Sequence, residues 1–532
     1  MSITSSDPAR RPEGAGSAAT VVYSTVDSDE IHTVTAGGTT YELVCGLEVH
    51  AELATATKMF SGAPNHFGDA PNTNIDPVTL GLPGTLPVVN EKAVELAIRF
   101  GLAVGAEIRR SVFARKNYFY PDMPKDFQIS QYDLPIVSEG TIELPGGHVV
   151  GLERAHLEED TGKSAHVHRP RPAAPGAVAS GDADPSRRGD GRITGADHSL
   201  VDYNRAGVPL LEIVSRPHVR SPEQARQYVS ELRSILVAAG VSDGKMEEGS
   251  LRVDANVSVR PVGSDGLGTR CEVKNLNSLR SLGRAIEHEA RRQADILAAG
   301  GAIEQQTRHW NEATGRTSTM RSKEEADDYR YFPEPDLLPI DPDPAWIAEI
   351  GAALPPMPAA RRAALAAATG VTLPDETVAL LVERDQDAQA TAAVSAGADP
   401  ARVLVHVSQN LSGEGGSDVA PERIAALVGL ETSGALTATQ AKTVLAEMVT
   451  SDAAPADIAT ARGFEAMDTG ALEAMIDEVI TGHEDEWEQF RTGDDKARGK
   501  LTGFFVGQVM RASKGQADGK AVTALLRSRA SL

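Results

Sequence analysis

Cysteine is nearly absent: Cys45 and Cys271 are the two thiols of a 532-residue chain. Both fall at apolar positions of strand-like segments, so no disulfide framework is expected, and two buried thiols suit a reducing cytosol. Long apolar runs are missing too. No stretch approaches the roughly 18 apolar residues of a membrane span, and the N-terminus lacks the apolar run of a signal peptide. A cytoplasmic protein without membrane contact is expected. Positive charge is in short supply, with 52 Lys and Arg against 75 Asp and Glu and a formal net charge of −23. That balance argues against blanket nucleic-acid binding and leaves room for a local basic path. There is no G-x-x-x-x-G-K-[ST] phosphate loop, no GxGxxG after a strand, no H-E-x-x-H and no CxxC, and the G-x-S-x-G spacing of Gly240–Gly244 closes a helical stretch where a nucleophile elbow needs a preceding strand. Those checks argue against ordinary nucleotide-binding folds and covalent Ser or Cys catalysis.

What is present begins with residues 41–53, YELVCGLEVHAEL. Side chains alternate between the two faces of a strand. Leu43, Cys45, Leu47, Val49 and Leu53 share an apolar face; Glu48, His50 and Glu52 share the other. One such strand reads as core with a solvated outer face. Other segments repeat the design, however. In LRVDANVSVRP, Arg252, Asp254, Asn256, Ser258 and Arg260 lie on one face. TRCEVKN groups Arg270, Glu272 and Lys274. VPLLEIVS sets Glu212 on an otherwise apolar strand, and HLEEDTGK packs His156, Glu158, Glu159 and Asp160 into five positions. Together they predict one sheet with a charged, wet concave side. Two unit charges about 4 Å apart repel by roughly 1 kcal/mol in water and about 4 at an effective dielectric near 20. A bound divalent cation removes that cost; otherwise some carboxylate pKa values must rise.

A chain of this length should hold two or more domains. Residues 1–38, rich in Ser, Thr, Ala, Gly and Asp, read as a disordered extension, and residues 168–198 as a disordered insertion between two strands. Asn90 is placed to cap a helix. Ser221-Pro222-Glu223-Gln224 starts another, and a third runs over 278–299 with Arg280, Arg284, Arg291 and Arg292 on its polar face. For those arginines a solvated face is the plain reading. The loop 115–133, RKNYFYPDMPKDFQISQYD, interleaves Arg115, Lys116 and Lys125 with Tyr118, Phe119 and Tyr120, a mix suited to stacking on and neutralising a nucleic-acid strand or to a satisfied surface loop. Beyond about residue 338 the chain turns Ala-rich and helical. The ambiguous run 402–409, RVLVHVSQ, is expected to be helical because its neighbours are. A basic cluster, Lys496, Arg498, Lys500, Arg511 and Lys514, lies near the end.

GLEVHAEL, PNTNIDPVTLGLPGTLPVVN, RKNYFYPDMPKDFQISQYD, HLEEDTGK, SLVDYNRAGVPLLEIVS, SPEQARQYVSELRSIL, VSDGKMEEGSLRVDANVSVRP, EVKNLNS, MRSKEEADDYRYFPEPDL and GFFVGQVM occur together from about residue 41 onward. In this combination the chain resembles the B-subunit family of heterotrimeric aspartyl/glutamyl-tRNA amidotransferases. The resemblance implies an α+β fold: a largely antiparallel, glutamine-synthetase-like catalytic cradle over 39–338, a helical domain over 339–418 and a helical, YqeY-like, tRNA-binding tail over 419–532. The activity implied is ATP-dependent phosphorylation of the side-chain carboxylate of Glu-tRNA(Gln) or Asp-tRNA(Asn), then amidation by ammonia. An amidase (glutaminase) partner channels that ammonia, and a small third subunit holds the pair together. Carried over residue by residue, Glu48, His50, Glu159 and Glu212 form the metal and phosphate site, with Asp254 as a nearby ligand, Glu158 and Glu248 as further members and Arg252 on the adjoining strand. Which of Glu158/Glu159 and Glu247/Glu248 reaches the metal stays open. Lys116, Tyr118 and Lys125 match the family's ammonia-channel mouth. Mg²⁺ is the expected ion, with Mn²⁺ as a substitute that suits His50. Some family members carry a four-cysteine zinc site in the 60–80 loop. Ser61, Gly62 and Asp76-Pro77-Val78-Thr79 stand there in this chain, so no zinc is expected.

Two other classes fit the residues: a glutamine-synthetase-like ligase acting on a free amino acid, and a non-catalytic RNA-binding scaffold. Metal-dependent ATP turnover separates the enzymes from the scaffold, and the helical tail counts against a small free substrate.

Overall fold

The organising strand starts one hairpin earlier than its apolar alternation suggests. Gly37 and Gly38, with φ of +56° and +83°, make a two-residue turn whose left-handed residues match the twist of a hairpin. It joins β1 (Thr33–Ala36) to β2 (Thr39–Glu52), with Ala36 opposite Thr39 and Thr33 opposite Glu42. A Cβ on Gly37 would come within 2.9 Å of that of Ala298, so glycine is needed there for space as well as for φ. The expected extension over 1–38 is therefore a paired strand from Thr33 onward. Thr-Val-Thr-Ala is too short to stand out beside a Ser/Thr-rich stretch, and the hairpin supplies its order.

The computed structural model describes residues 31–167, 197–320, 329–370, 375–464 and 469–530 apart from 514–516 and 518. The rest of the expected extension, and the expected insertion as far as residue 196, lie outside the described residues. The chain divides into two compact units, Met1–Leu354 and Pro355–Leu532. In the first, β1 and β2 are joined by β3 (Glu107–Ile108), β4 (Ala114–Asn117), β5 (Phe127–Ser130), β6 (Val137–Glu143) and β7 (Val149–Glu159). After a separate pair, β8 (Lys163–Val167) and β9 (His198–Asp202), come β10 (Pro209–Ser215), β11 (Leu251–Pro261), β12 (Cys271–Leu276), β13 (Thr307–Asn311), β14 (Arg316–Thr319) and β15 (Phe332–Pro333). The resulting thirteen-stranded sheet runs β14-β13-β12-β11-β2-β10-β7-β5-β4-β15, with β1 also on β2, β6 on β7 and β3 on β6. Of the pairs described, β12 with β13 is parallel and the others are antiparallel.

The apolar face of this sheet is covered by α1 (Glu91–Ala103), which packs on β6 and β7, and by α3 (Leu279–Ala298), which packs on β11 and β12 beside α2 (Pro222–Ala238). All three start where a side chain satisfies the orphan N–H groups of a first turn. Asn90 accepts from the N–H of Lys92 and Ala93, Ser221 from Gln224, and Ser278 from Ser281. Leu43, Cys45, Leu47, Val49, Leu211, Ile213, Val253 and Val257 are buried, as the alternation predicts. Each large aliphatic side chain so buried contributes about 1.5–3 kcal/mol. A short helix, α4 (Pro344–Ala352), packs on α1 within this same unit.

The arginines of α3 are engaged in ion pairs: Arg284 with Glu312, Arg291 with Glu287 and Arg292 with Glu289. Glu289 is completely buried and also meets Arg308 at 3.3 Å, Gln293 Nε2 at 2.9 Å and Thr317 Oγ1 at 3.3 Å. Removing one partner of a buried pair leaves the other charge uncompensated. Glu289→Ala is expected to destabilise the first unit by about 3–5 kcal/mol, read as a fall in the urea midpoint. An unchanged midpoint would show that water replaces the carboxylate without cost.

In the second unit, one apolar core gathers residues from Leu365 to Ala459 and another gathers Leu472, Ile476, Phe490, Phe505, Val509, Val522 and Leu526. Helices on both sides of the expected 418/419 division, such as Pro400–Val405 and Pro421–Thr432, contribute to the first of these cores. The run 402–409 is helical, its second half as a π-helical turn over His406–Asn410. Among the described residues no helix is long and apolar enough to cross a membrane.

Candidate active site

Four adjacent strands bring the polar face together. Arg252 of β11 lies opposite His50 of β2, His50 opposite Glu212 of β10, and Glu212 opposite His156 of β7. Two residues along, Asp254 lies opposite Glu48. On the other side of that row, Glu52 is opposite Leu210 and Leu210 opposite Glu158. Alternate residues share a face, so all of these polar groups project from one side of the sheet. The strands expected to share a charged face do share one.

His50 is the hub. Its Nε2 lies 3.7 Å from Glu48 Oε1, 3.7 Å from Glu158 Oε1 and 3.5 Å from Glu212 Oε2. His156 Nε2 is 3.5 Å from the same Glu212 oxygen, and Arg154 Nη2 is 3.9 Å from the other. Two sets of ligand atoms, Glu48/His50/Asp254 and His50/Glu158/Glu212, each lie within 4.8 Å of one another. They share the imidazole.

Crowding shows in the protonation of the cluster. Burial and the Glu212 charge push Glu158 up to about 7, and the same two causes raise Glu48. Glu212 is held well below the ordinary carboxylate range: burial opposes this but His156, His50 and Lys116 outweigh it. Burial also opposes a proton on His50, yet the hydrogen bond to Glu212 and the charges of Glu212, Glu158 and Glu48 lift it to about 9. Burial lowers His156 to about 4. Protons on His50 and Glu158 thus balance the negative charge of the cluster. A divalent cation serves the same end with more charge at one point, and oxygen donors with one imidazole suit Mg²⁺ or Mn²⁺. The donor set fits such an ion.

Cations border the cluster. Lys274 Nζ lies 2.5 Å from Asp254 and 3.3 Å from Glu272. The register of β11 on β12 slips between Val253 and Ala255, and Asn275 takes a left-handed φ of +69°. The register ahead of the slip, Ala255 opposite Val273 and Asn256 opposite Glu272, already carries Lys274 to the place across from Asp254. Arg252 Nη1 donates to Asp160 at 2.6 Å, and Arg205 lies 3.3 Å from the same carboxylate. Burial and that neighbouring Asp160 raise Glu52 to about 7.

Other expected residues go elsewhere. Glu159 faces away from Glu158: its carboxylate is 2.5 Å from Lys125 Nζ and accepts the N–H of Ile129 at 2.9 Å. The structure thus brings Glu158, and not Glu159, to His50 and Glu212. Glu248 is exposed and paired with Lys245 at 2.9 Å, away from the cluster, and Glu247 is exposed beside it. Lys116 lies 4.8 Å over the ring of Tyr329, where burial opposes its charge but Glu158 and the ring hydroxyl of Tyr331 help raise it. The Tyr118 ring lies tilted against that of Tyr120, with centroids 4.6 Å apart. In the 60–80 loop, the Ser61 and Thr79 hydroxyls meet at 3.3 Å, and Asp76 Oδ1 accepts the Thr79 N–H at 2.7 Å. Sequence reasoning gave no role to His156, Arg154, Arg205 or Tyr331. For His156 the signal was its two-residue spacing from Glu158; for Tyr331, a place in the family motif; for the arginines there was none.

The family model of the GatB/GatE catalytic domain matches residues 43–348, and that of the GatB domain matches residues 391–529. The chain is similar over most of its length to proteins named as the B subunit of aspartyl/glutamyl-tRNA(Asn/Gln) amidotransferase. One from Leifsonia xyli subsp. xyli is 48% identical over 508 residues, covering 92% of this chain and 97% of the relative. One from Salinispora arenicola is 48% identical over 507 residues, covering 92% and 96%. One from Nocardia farcinica is 48% identical over 504 residues, covering 91% and 95%. The catalytic-domain match spans the strands that carry the His50 cluster, and the chain belongs to the B-subunit family of aspartyl/glutamyl-tRNA(Asn/Gln) amidotransferases.

Proposed function

We propose that this chain is the ligase subunit that activates the side-chain carboxylate of Glu-tRNA(Gln) or Asp-tRNA(Asn) with ATP and exchanges the phosphate for ammonia. It works in a heterotrimer with an amidase partner, which supplies ammonia, and a small third subunit. The observation that carries this reading is the His50 hub, where three carboxylates from three strands converge beside Lys116, Lys274 and Arg252.

Two anions must meet in the first step, the substrate carboxylate and the ATP γ-phosphate, so positive charge is required between them. Glu48, His50, Glu158, Glu212 and Asp254 are the residues that would hold Mg²⁺ or Mn²⁺, and a bound ion would screen both anions and polarise the phosphoryl oxygens. Glu212 stays ionised against its burial because protonated His50 and Lys116 lie beside it. Arg252 and Lys274 flank the cluster on one side, anchored by Asp160 and Asp254, and neutralise phosphate oxygens there. Lys116 approaches from the other side, where ammonia is delivered past Tyr118 and the Lys125–Glu159 pair. The carboxylate oxygen bonds to phosphorus as the bond to ADP breaks; ammonia then adds to the carbonyl and phosphate leaves. No zinc is proposed in the 60–80 loop, where hydroxyl and carboxylate hydrogen bonds join the segments.

The assembled complex tests the reading by metal-dependent ATP turnover coupled to amide formation on charged tRNA; a complex with neither activity would overturn it. Glu158 and Glu159 give a sharper comparison. Glu158→Gln is expected to lower metal-dependent ATP turnover roughly 100-fold, the upper range for disturbing a metal site. Glu159→Gln removes only the partner of Lys125 and should leave that turnover within a few-fold. The reverse ranking would return the ligand role to Glu159.

A further inference from the structure

Aromatic residues are only 4% of the chain, and it has nine tyrosines. Five of them gather at one margin of the sheet. Tyr118 lies tilted against Tyr120, Tyr132 stacks on Tyr331, and Tyr329 meets Tyr331 edge to face. The buried tyrosines, Tyr41 and Tyr228, lie elsewhere, so this group is not there to fill a core. The wall is pre-ordered. β15 pairs with β4, Phe332 opposite Arg115. Asn117 Nδ2 donates to the carbonyls of Tyr329 at 2.8 Å and Arg330 at 3.1 Å, and Arg330 turns the chain with a φ of +51°. Lys116 holds the Tyr329 ring from the inner side.

The wall runs from the reacting groups to solvent. Tyr331 lies close enough to Lys116, Glu158 and Glu212 to feel their charges. One face of Tyr331 lies on Tyr132 with ring centroids 4.1 Å apart and planes within 9°. Tyr132 is nevertheless 48% exposed, so its remaining surface is open. An ordered pair of parallel rings with an open outer face is what a planar base stacks on, and the rings lose no further freedom when it does.

We propose that the Tyr132–Tyr331 stack is the platform for an adenine base beside the carboxylate cluster. This rests on the amidotransferase reading, in which both substrates carry adenine: ATP, and the charged tRNA through its 3′-terminal adenosine. The shared chemistry is the purine face, and kinetics tells the two sources apart.

The test uses the assembled complex carrying Tyr132→Ala, Tyr132→Phe or Tyr132→Leu, with amide formation measured at saturating glutamine. Loss of one stacked base is expected to raise one KM about ten-fold, with kcat within a few-fold. A rise in KM for charged tRNA alone assigns the platform to the terminal adenosine; a rise in KM for ATP alone assigns it to the nucleotide. Tyr132→Phe should match the wild type, because the π-face is kept, and Tyr132→Leu should match Tyr132→Ala, because bulk alone does not stack. Leu also keeps the site filled should the smaller side chain unfold the margin. Unchanged KM values in both the Ala and Leu variants overturn the platform. So does a Phe variant as poor as the Ala one, or loss of the amidase partner on purification, which would make Tyr132 part of the interface with that partner. A wild-type complex that forms amide while these variants equal it defeats the platform alone; a wild-type complex that forms none defeats the functional reading as well.

Discussion

Glu212→Gln abolishes amide formation on charged tRNA, by about 10³-fold or more, while the partner's glutaminase keeps its rate and the fold stays intact. The substitution keeps the shape and removes the charge. Glu212 is on a strand whose neighbours Leu211 and Ile213 are fully buried, and its carboxylate meets both His50 and His156. An ionised carboxylate on such a strand is costly unless paired, so its presence needs the cluster it serves. With glutamine there, His50 loses its strongest partner and the cluster loses a carboxylate held well below its ordinary range. The lost step is activation of the substrate carboxylate, which precedes ammonia attack, so free ammonium does not restore activity. Lys116→Ala provides the contrast. Where its loss disturbs only ammonia delivery, ammonium bypasses it. Amidated tRNA at normal levels from Glu212→Gln, or rescue of that variant by ammonium, would remove Glu212 from the activating site.

Ending the chain after Phe464 weakens binding of charged tRNA by about 100-fold at moderate salt, and the slope of log affinity against log salt becomes shallower. The cut belongs there and not near residue 420, because helices from 365 to 459 share one core and a cut at 420 would divide it. The removed segment has an apolar core of its own around Phe490, Phe505, Val509 and Leu526. Its helix Asp495–Ala512 presents Lys496, Lys500 and Arg511 to solvent. In a chain of net charge −23, a phosphate backbone needs such local basic surface. Each lysine or arginine taken away from a phosphate should reduce the salt slope by roughly one unit. Filter binding or fluorescence anisotropy over a salt series measures both effects, with unchanged metal-dependent ATP turnover as the control for the first unit. Unaltered affinity after truncation would place tRNA recognition in the sheet domain.

Much of this protein is local in origin. Alternation in residues 41–53 and 251–261 determined which faces are core and which are polar, because a strand has a period of two and one face must be apolar to bury. Asn90, Ser221 and Ser278 marked their helix starts, since capping depends on residues within one turn. Glu212 was legible as a site residue because a lone carboxylate on an apolar strand needs a partner. The choice between Glu158 and Glu159 was not legible. Residues 155–159 of β7 are buried on both faces, so neither polarity nor burial ranks the two carboxylates. Only the register of β7 on β10 and β2 decided it. Lys274 reached Asp254 through the register of β12 on β11, and a register is a property of two strands together. Glu248 looked like a ligand by motif and went to Lys245 at the surface. The early hairpin at Gly37-Gly38 and the core shared across residue 418 were likewise settled by pairing and packing between distant segments. Periodicity and caps report a residue's own strand or helix; convergence of side chains from four strands is a long-range property that only the folded sheet has.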